Sequence, residues 1–412
     1  MCSSFNTVEG SRPKPTDAGY DETLWFNISG GEGRYTASRE KERGPFKYMT
    51  LVRNSTVSVE VIAAEVHYTP MPHWEDDAIG DYTGYFHCDV RWLMDGAKRD
   101  RLVWAGDMAI AVPSIVVSTN DFISVENSLN SLFDIQNMTT GQLPYVGGPF
   151  PSIPSPFCQW DQDENMTNID FSGLMNVTSP NDWLRFGMGG HNIEVNAVLY
   201  YKINQAISLA NALNDTTNLS SWHGTAERIK TAANEQLWSE TAGIQVSRIS
   251  SQLVLRWTPY GAPAVEAADA ISPFISGFEL QAHFLAANTS AALALMRPEW
   301  GFMLDNPRMT NPTLIEGYST TGELHYALYR NVARISHAHD WATGHTSSLT
   351  MYVAGIQLVS AGGATWRIAP SLGDLKFADA GFRTSLGFFG ARTTIGDESV
   401  EVQFEAPEGT TG

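Results

Sequence analysis

Three carboxylates, two arginines, a lysine and a tryptophan crowd into the stretch from Asp95 to Asp107. Asp100 and Asp107 follow Asp95 at offsets that a single helix would place about 140° and 120° away from it. Gly96 and Gly106 also oppose one unbroken helix. A loop instead gathers Asp95, Asp100, Asp107, Lys98, Arg99, Arg101 and Trp104 into one concave site. There the cations hold neighbouring carboxylates ionised, while a carboxyl beside another anion or an apolar ring keeps its proton. One residue type then supplies both an acid and a base. The bland alternative is a solvated turn of mutually screened charges.

A second polar knot runs from Thr313 to Tyr318 and resumes from Ser336 to Gly344. Glu316 follows Asn311-Pro312 and precedes Gly317, which puts it on a loop at a helix mouth. Two distant carboxylate loops facing one cavity are what glycoside hydrolysis needs, one to protonate the departing oxygen and one to attack or to deprotonate water. His337-Ala338-His339 invites a metal, but no third ligand stands at a matched spacing and no His-Glu-x-x-His occurs. Neither a metal nor a cofactor is therefore expected. No nucleophile elbow, phosphate-binding loop or dinucleotide fingerprint appears, and Gly187 to Gly190 lacks the strand that a phosphate cradle requires.

Apolar spacing near 3.6 residues predicts helices at about 107–118, 122–136, 191–213, 222–238, 275–287, 289–304, 320–333 and 346–359. Alternation predicts strands at 46–52 and 57–61, and again at Trp366–Ile368, Thr384–Phe388 and Val400–Phe404. Gly141 to Pro156 is a Pro/Gly-rich loop too long for a mere connector. The order is β, then α, then β, and paired helices joined by loops suit an α-barrel.

Composition narrows the partners. The formal charge of −19 disfavours nucleic acid and anionic membranes, and no apolar run is long enough to span a bilayer. Twelve Trp and fourteen Tyr offer flat faces on which sugar rings stack, although most aromatics of any protein are core. Cys2, Cys88 and Cys158 form no metal-spaced cluster and read as incidental. Eight N-glycosylation sequons, at Asn27, Asn54, Asn137, Asn165, Asn176, Asn214, Asn218 and Asn288, predict a secreted glycoprotein. Met1 to Phe5 lacks the charged-then-apolar pattern of a leader, so this chain is expected to have none.

The same residues resemble the family 78 α-L-rhamnosidases. The similarity is carried by Tyr82 to His87, the Asp95–Asp107 pattern, Asn181-Asp182-Trp183-Leu184-Arg185, Glu194 to Ala197, Glu316-Gly317-Tyr318 and the run from Ser336 to Gly355. It implies a mainly α protein: an (α/α)6 barrel over 81–361, flanked by a remnant β-sandwich at 1–80 and a β-sandwich segment at 362–412. It implies inverting hydrolysis of terminal α-L-rhamnose from plant glycosides or polysaccharides, with Asp100 as general acid and Glu316 as general base. Asp95, Arg99, Trp104, Asp107, Asp182, Trp183 and His337 match positions that contact the sugar. The chain departs from the family by short stretches after Phe86, after Phe157 and between Gly243 and Leu255. Eight predicted helices against the twelve of a full barrel suggest an incomplete one. An inactive or merely sugar-binding remnant is the alternative expectation.

Overall fold

The structure is a computed structural model. It describes residues 102–139, 169–177, 189–237, 246–264, 267–310, 313–326 and 335–412, with parts of 24–37, 51–65, 93–96, 143–147 and 181–186. Strand β1 (Val103–Trp104) leads directly into helix α1 (Ala105–Ser118) and pairs antiparallel with β2 (Val146–Gly147). Met108, Ala111 and Ile115 recur at three- and four-residue spacing and are buried with Val103, Val125 and Leu132. That stripe commits an amphipathic helix to a core. Helix α2 (Phe122–Phe133) starts at Asp121, whose carboxylate accepts from the Ser124 N–H at 3.2 Å and its hydroxyl at 2.7 Å. Such a cap satisfies donors that the first helical turn leaves unpaired.

Strands β3 (Asn181–Asp182) and β4 (Arg185–Phe186) pair with each other. Two helical hairpins then carry most of the described core. In the first, Leu199, Ile203 and Ile207 of α3 (Ile193–Ala212) meet Ala226 and Ile229 of α4 (Leu219–Gln236). Next come α5 (Val246–Val254), β5 (Pro263–Ala264) and β6 (Ala267–Ile271). In the second hairpin, α6 (Pro273–Leu285) opens with proline, whose missing N–H costs nothing at that position. Helix α7 (Thr289–Asp305) is capped by Asn288, which accepts from the Ala291 N–H at 3.2 Å. Leu280 and Phe284 pack with Ala292, Leu295, Met296 and Trp300, and Ile271, Ile315, Tyr318 and Tyr326 join the same core. Strand β7 (Tyr318–Ser319) completes the sheet β5-β6-β7.

This core is not wholly apolar. Glu299 lies fully buried between the hairpin and Gly261, and burial pushes its carboxyl up to about 8, with the charge of Glu279 acting in the same direction. Glu279 accepts from the Trp257 indole at 2.6 Å and faces His283 at 3.4 Å, whose other ring nitrogen meets Ser250 at 2.8 Å.

A 3₁₀ turn at Asp340–Thr343, helix α8 (Gly344–Ser348) and a π turn at Leu349–Val353 carry the chain to its last strands. Strands β8 (Ile356–Leu358) and β9 (Trp366–Ile368) pair, and β10 (Phe377–Thr384), β11 (Gly387–Ile395) and β12 (Val400–Glu405) form an antiparallel sheet in that order. Phe382, Phe389 and Ala391 bury against Val117 of α1 and Ile356, tying sheet to helices.

The architecture is thus helical hairpins joined by small antiparallel sheets, and no closed ring of hairpins is traced among the described residues. Several elements differ from the expectation. Residues 320–326 form turns and a bridge rather than a helix, and 327–333 lie outside the described residues. The helix expected at 346–359 stops at Val353. Gly355 has φ +81°, and a Cβ there would stand 2.3 Å from the Ala369 carbonyl carbon, so the chain turns and continues as β8. The strand expected at 384–388 spans the turn between β10 and β11. Residues 51–65 make no sheet pairing where they are described, and 46–50 lie outside. Helix α5 forms where the apolar spacing predicted no helix. No helix among the described residues is long and apolar enough to cross a membrane.

Candidate active site

Three segments from distant parts of the sequence lie side by side. Gly96 forms an antiparallel bridge with His339, and the Asp340 N–H donates to the Asp95 carbonyl at 3.2 Å. On the other flank, the His339 N–H donates to the Leu314 carbonyl at 3.1 Å and the Glu316 N–H to the Ser336 carbonyl at 2.8 Å. The segment 336–340 is therefore the middle rail between the two carboxylate-bearing loops.

Asp95 is buried and anchors its own loop. Its N–H donates to the Leu102 carbonyl at 3.1 Å, and its carboxylate accepts from the Leu102 N–H at 3.0 Å. Trp104 ends β1, half-buried, and serves as the residue before α1. Asp107 sits in the first turn of α1, where unpaired N–H groups favour a negative charge. Its Oδ1 stands 3.3 Å from Nε2 of His339, and both residues are buried. Gly96 makes room for that imidazole, since a Cβ there would lie 2.5 Å from its Nδ1.

Glu316 is completely buried. The Tyr326 hydroxyl donates to its Oε1 at 2.6 Å and the Ser336 N–H to its Oε2 at 3.1 Å. The Trp341 indole donates to its main-chain carbonyl at 2.9 Å. Trp341 in turn stacks on Phe274 and lies 4.4 Å, ring to ring, from His339. These contacts come from Tyr326, from Ser336 on the middle rail and from Trp341 just after it.

Asp340 follows His339. Its carboxyl is pushed well above the usual carboxylate range, first by burial and then by the charges of Asp107 and Asp95.

Of the residues the sequence singles out, Asp95, Asp107 and Glu316 converge on the middle rail, while Trp104 lies in β1, paired with Val146. His337 lies half-buried on the rail, its carbonyl held by the hydroxyls of Thr310 at 3.5 Å and Thr313 at 2.5 Å. Asp100, Arg99 and Trp183 lie outside the described residues. Asp182 is described only by its backbone in β3. Sequence reasoning weighed His339 only as half of a His-x-His pair and did not single out Asp340, Tyr326 or Trp341. The polar run from Ser336 to Trp341 was the available signal for Asp340 and Trp341.

No family model and no curated protein matches the sequence. Solved structures do match. The chain superposes on the family 78 rhamnosidase of Bacillus sp. GL1 with TM-score 0.59 and 18% identity, covering 78% of this chain and 40% of that one. An α-L-rhamnosidase of Streptomyces avermitilis in complex with L-rhamnose gives 0.58 and 16% identity, covering 77% and 35%. The enzyme of Dictyoglumus thermophilum gives 0.52 and 14%, covering 78% and 41%. The chain spans about two fifths of the length of these proteins. Over that shared part, its fold is the fold of the family 78 α-L-rhamnosidases.

Proposed function

We propose that the chain is the catalytic part of an exo-acting glycosidase that releases terminal α-L-rhamnose from plant glycosides or polysaccharides with inversion. The observation that carries this reading is the middle rail: it sets the Asp95–Asp107 segment and the Glu316 loop against the same five residues. In the reading, Asp100 protonates the departing oxygen and Glu316 takes the proton of the attacking water. Inversion requires the two carboxyl groups to stand roughly 6.5–9.5 Å apart, which leaves space for that water. Tyr326 and Ser336 fix the Glu316 carboxylate. Asp95, Arg99, Trp104, Asp107, Asp182, Trp183 and His337 form the sugar subsite, and His339 joins them through its contact with Asp107. An (α/α)6 barrel over 81–361, between β-sandwich segments at 1–80 and 362–412, is the architecture that goes with this activity. Secretion, on the strength of the eight sequons, is the compartment that goes with it.

One observation favours a second reading, a sugar-binding chain without turnover. Helices α2 and α3 expose Phe122, Ile123, Leu129 and Phe133, and Ile193, Val198, Tyr201 and Leu209. Apolar faces of this extent ordinarily have a covering partner.

The deciding experiment is release of p-nitrophenol from its α-L-rhamnoside by the purified chain, beside Asp100→Asn and Glu316→Gln. Turnover falling by about 10² to 10⁴ in each variant supports the acid and base assignments. Full turnover in both sinks them, and L-rhamnose binding without turnover in the unmutated chain selects the second reading.

A further inference from the structure

Asp340 presents an unusual buried carboxylate. Both of its side-chain oxygens are shut off from solvent, and neither accepts a hydrogen bond among the described residues. The main-chain N–H groups of Trp341 and of Asp340 itself ease the charge only in part, against burial and the neighbouring carboxylates. An ionised carboxylate left this way is strongly disfavoured unless a counter-charge arrives. The surroundings supply the opposite, because Asp107 and Asp95 are its charged neighbours.

The three residues around this point form a ligand set. Asp107, His339 and Asp340 each turn one donor atom inward, and the three atoms lie within 4.8 Å of one another. The 3.3 Å between Asp107 Oδ1 and His339 Nε2 matches the ligand-to-ligand edge of a tetrahedral shell with bonds of about 2.0–2.1 Å. One imidazole with two carboxylates suits zinc and its neighbours, whereas Mg²⁺ and Ca²⁺ prefer oxygen alone. The sequence concealed the set because its third ligand comes from the start of α1, far from the His-x-His pair.

We propose that Asp107, His339 and Asp340 bind a divalent transition-metal ion of the zinc type. The binding site stands on its own geometry. Its consequence, that the ion competes with rhamnose for Asp107 and so inhibits hydrolysis, rests on the glycosidase reading above.

The test is calorimetric titration of Zn²⁺ into the metal-free full chain at neutral pH, beside Asp340→Asn, His339→Gln and the surface control His223→Gln. The expected result is one ion per chain, with affinity weakened about tenfold or more in the first two variants and unchanged in the control. Asp340→Asn is nearly isosteric, so it keeps the test decisive where His339→Gln does not fold. No saturable binding, or equal affinity in Asp340→Asn, overturns the proposal. So does a Zn²⁺ response lost in His223→Gln, which marks adventitious surface histidines. One bound ion in a chain that never turns over rhamnoside leaves the site standing and removes only the inhibition.

Discussion

The indole N–H of Trp341 donates to the main-chain carbonyl of Glu316 at 2.9 Å, so the residue that follows the His-Asp pair holds the loop of the proposed base. Trp341→Phe removes that donor together with part of the buried ring that packs on Phe274 and His339. A buried carbonyl left without its partner costs about 1–3 kcal/mol. Chemical denaturation should show that loss, with rhamnoside turnover falling alongside it. Unchanged stability would mean that the indole does not support the loop.

Tyr326→Phe removes the hydroxyl that donates to Glu316 Oε1 at 2.6 Å. A hydrogen bond to a charged group contributes about 1.5–3 kcal/mol. The variant should lose stability in that range, and its kcat should fall more than its KM rises, because the proposed base loses its orientation rather than the sugar its contacts. A change confined to KM would count against Glu316 as the base.

Gly96→Ala places a methyl group 2.5 Å from His339 Nδ1 and 2.7 Å from Ser336 Oγ. Overpacking of this kind costs roughly 1–3 kcal/mol, and the imidazole must move relative to Asp107. L-rhamnose binding, followed by calorimetry, should weaken while far-UV circular dichroism is retained. Unaltered binding would separate His339 from the sugar subsite.

Stability should depend on pH through buried groups of opposite sign, Glu299 and Asp340 on one side and His345 on the other. Burial pushes Glu299 up to about 8 from an ordinary 4.5, so the stability it contributes is full below about 4.5 and lost as pH rises to about 8. Burial pushes His345 down to about 4 from 6.5, so its contribution is full above 6.5 and lost as pH falls to about 4. From about 4.5 to 6.5 the slopes of Glu299 and His345 oppose each other, one proton against one. From about 6.5 to 8 His345 no longer opposes Glu299, whose own share of the fall in stability is up to about 1.4 kcal/mol per pH unit, beside a fall of the same sign from the buried Asp340. Glu299→Gln should lessen that fall in denaturation curves taken across the range; an equal fall in the variant rules out a buried neutral carboxyl at this position.

The helical hairpins were legible because their apolar stripes are local: the burial of Leu199, Ile203 and Ile207 follows from spacing alone. Asp95, Asp107 and Glu316 were legible because charge beside glycine is rare in a core. The choice between His337 and His339 was not. It depends on register against Gly96, and register between segments far apart in sequence leaves no local trace. The turn between β10 and β11 was missed because Thr384 to Phe388 alternates like a strand, while Gly387, at φ +137°, is what the turn requires. Helix α5 carries Val246, Ile249 and Leu253 at helical spacing, a signal that was present but set among serines.

The bridge from Gly96 to His339 links positions separated by more than half of the polypeptide. Bringing such ends together costs loop-closure entropy that no nearby contact repays, so pairings of this type form late and slow the folding of the chains that contain them. The α3–α4 and α6–α7 hairpins need no such closure. During synthesis they are complete before residue 339 has left the ribosome, and a nascent chain stopped short of that point lacks the strip against which the two carboxylate loops are set.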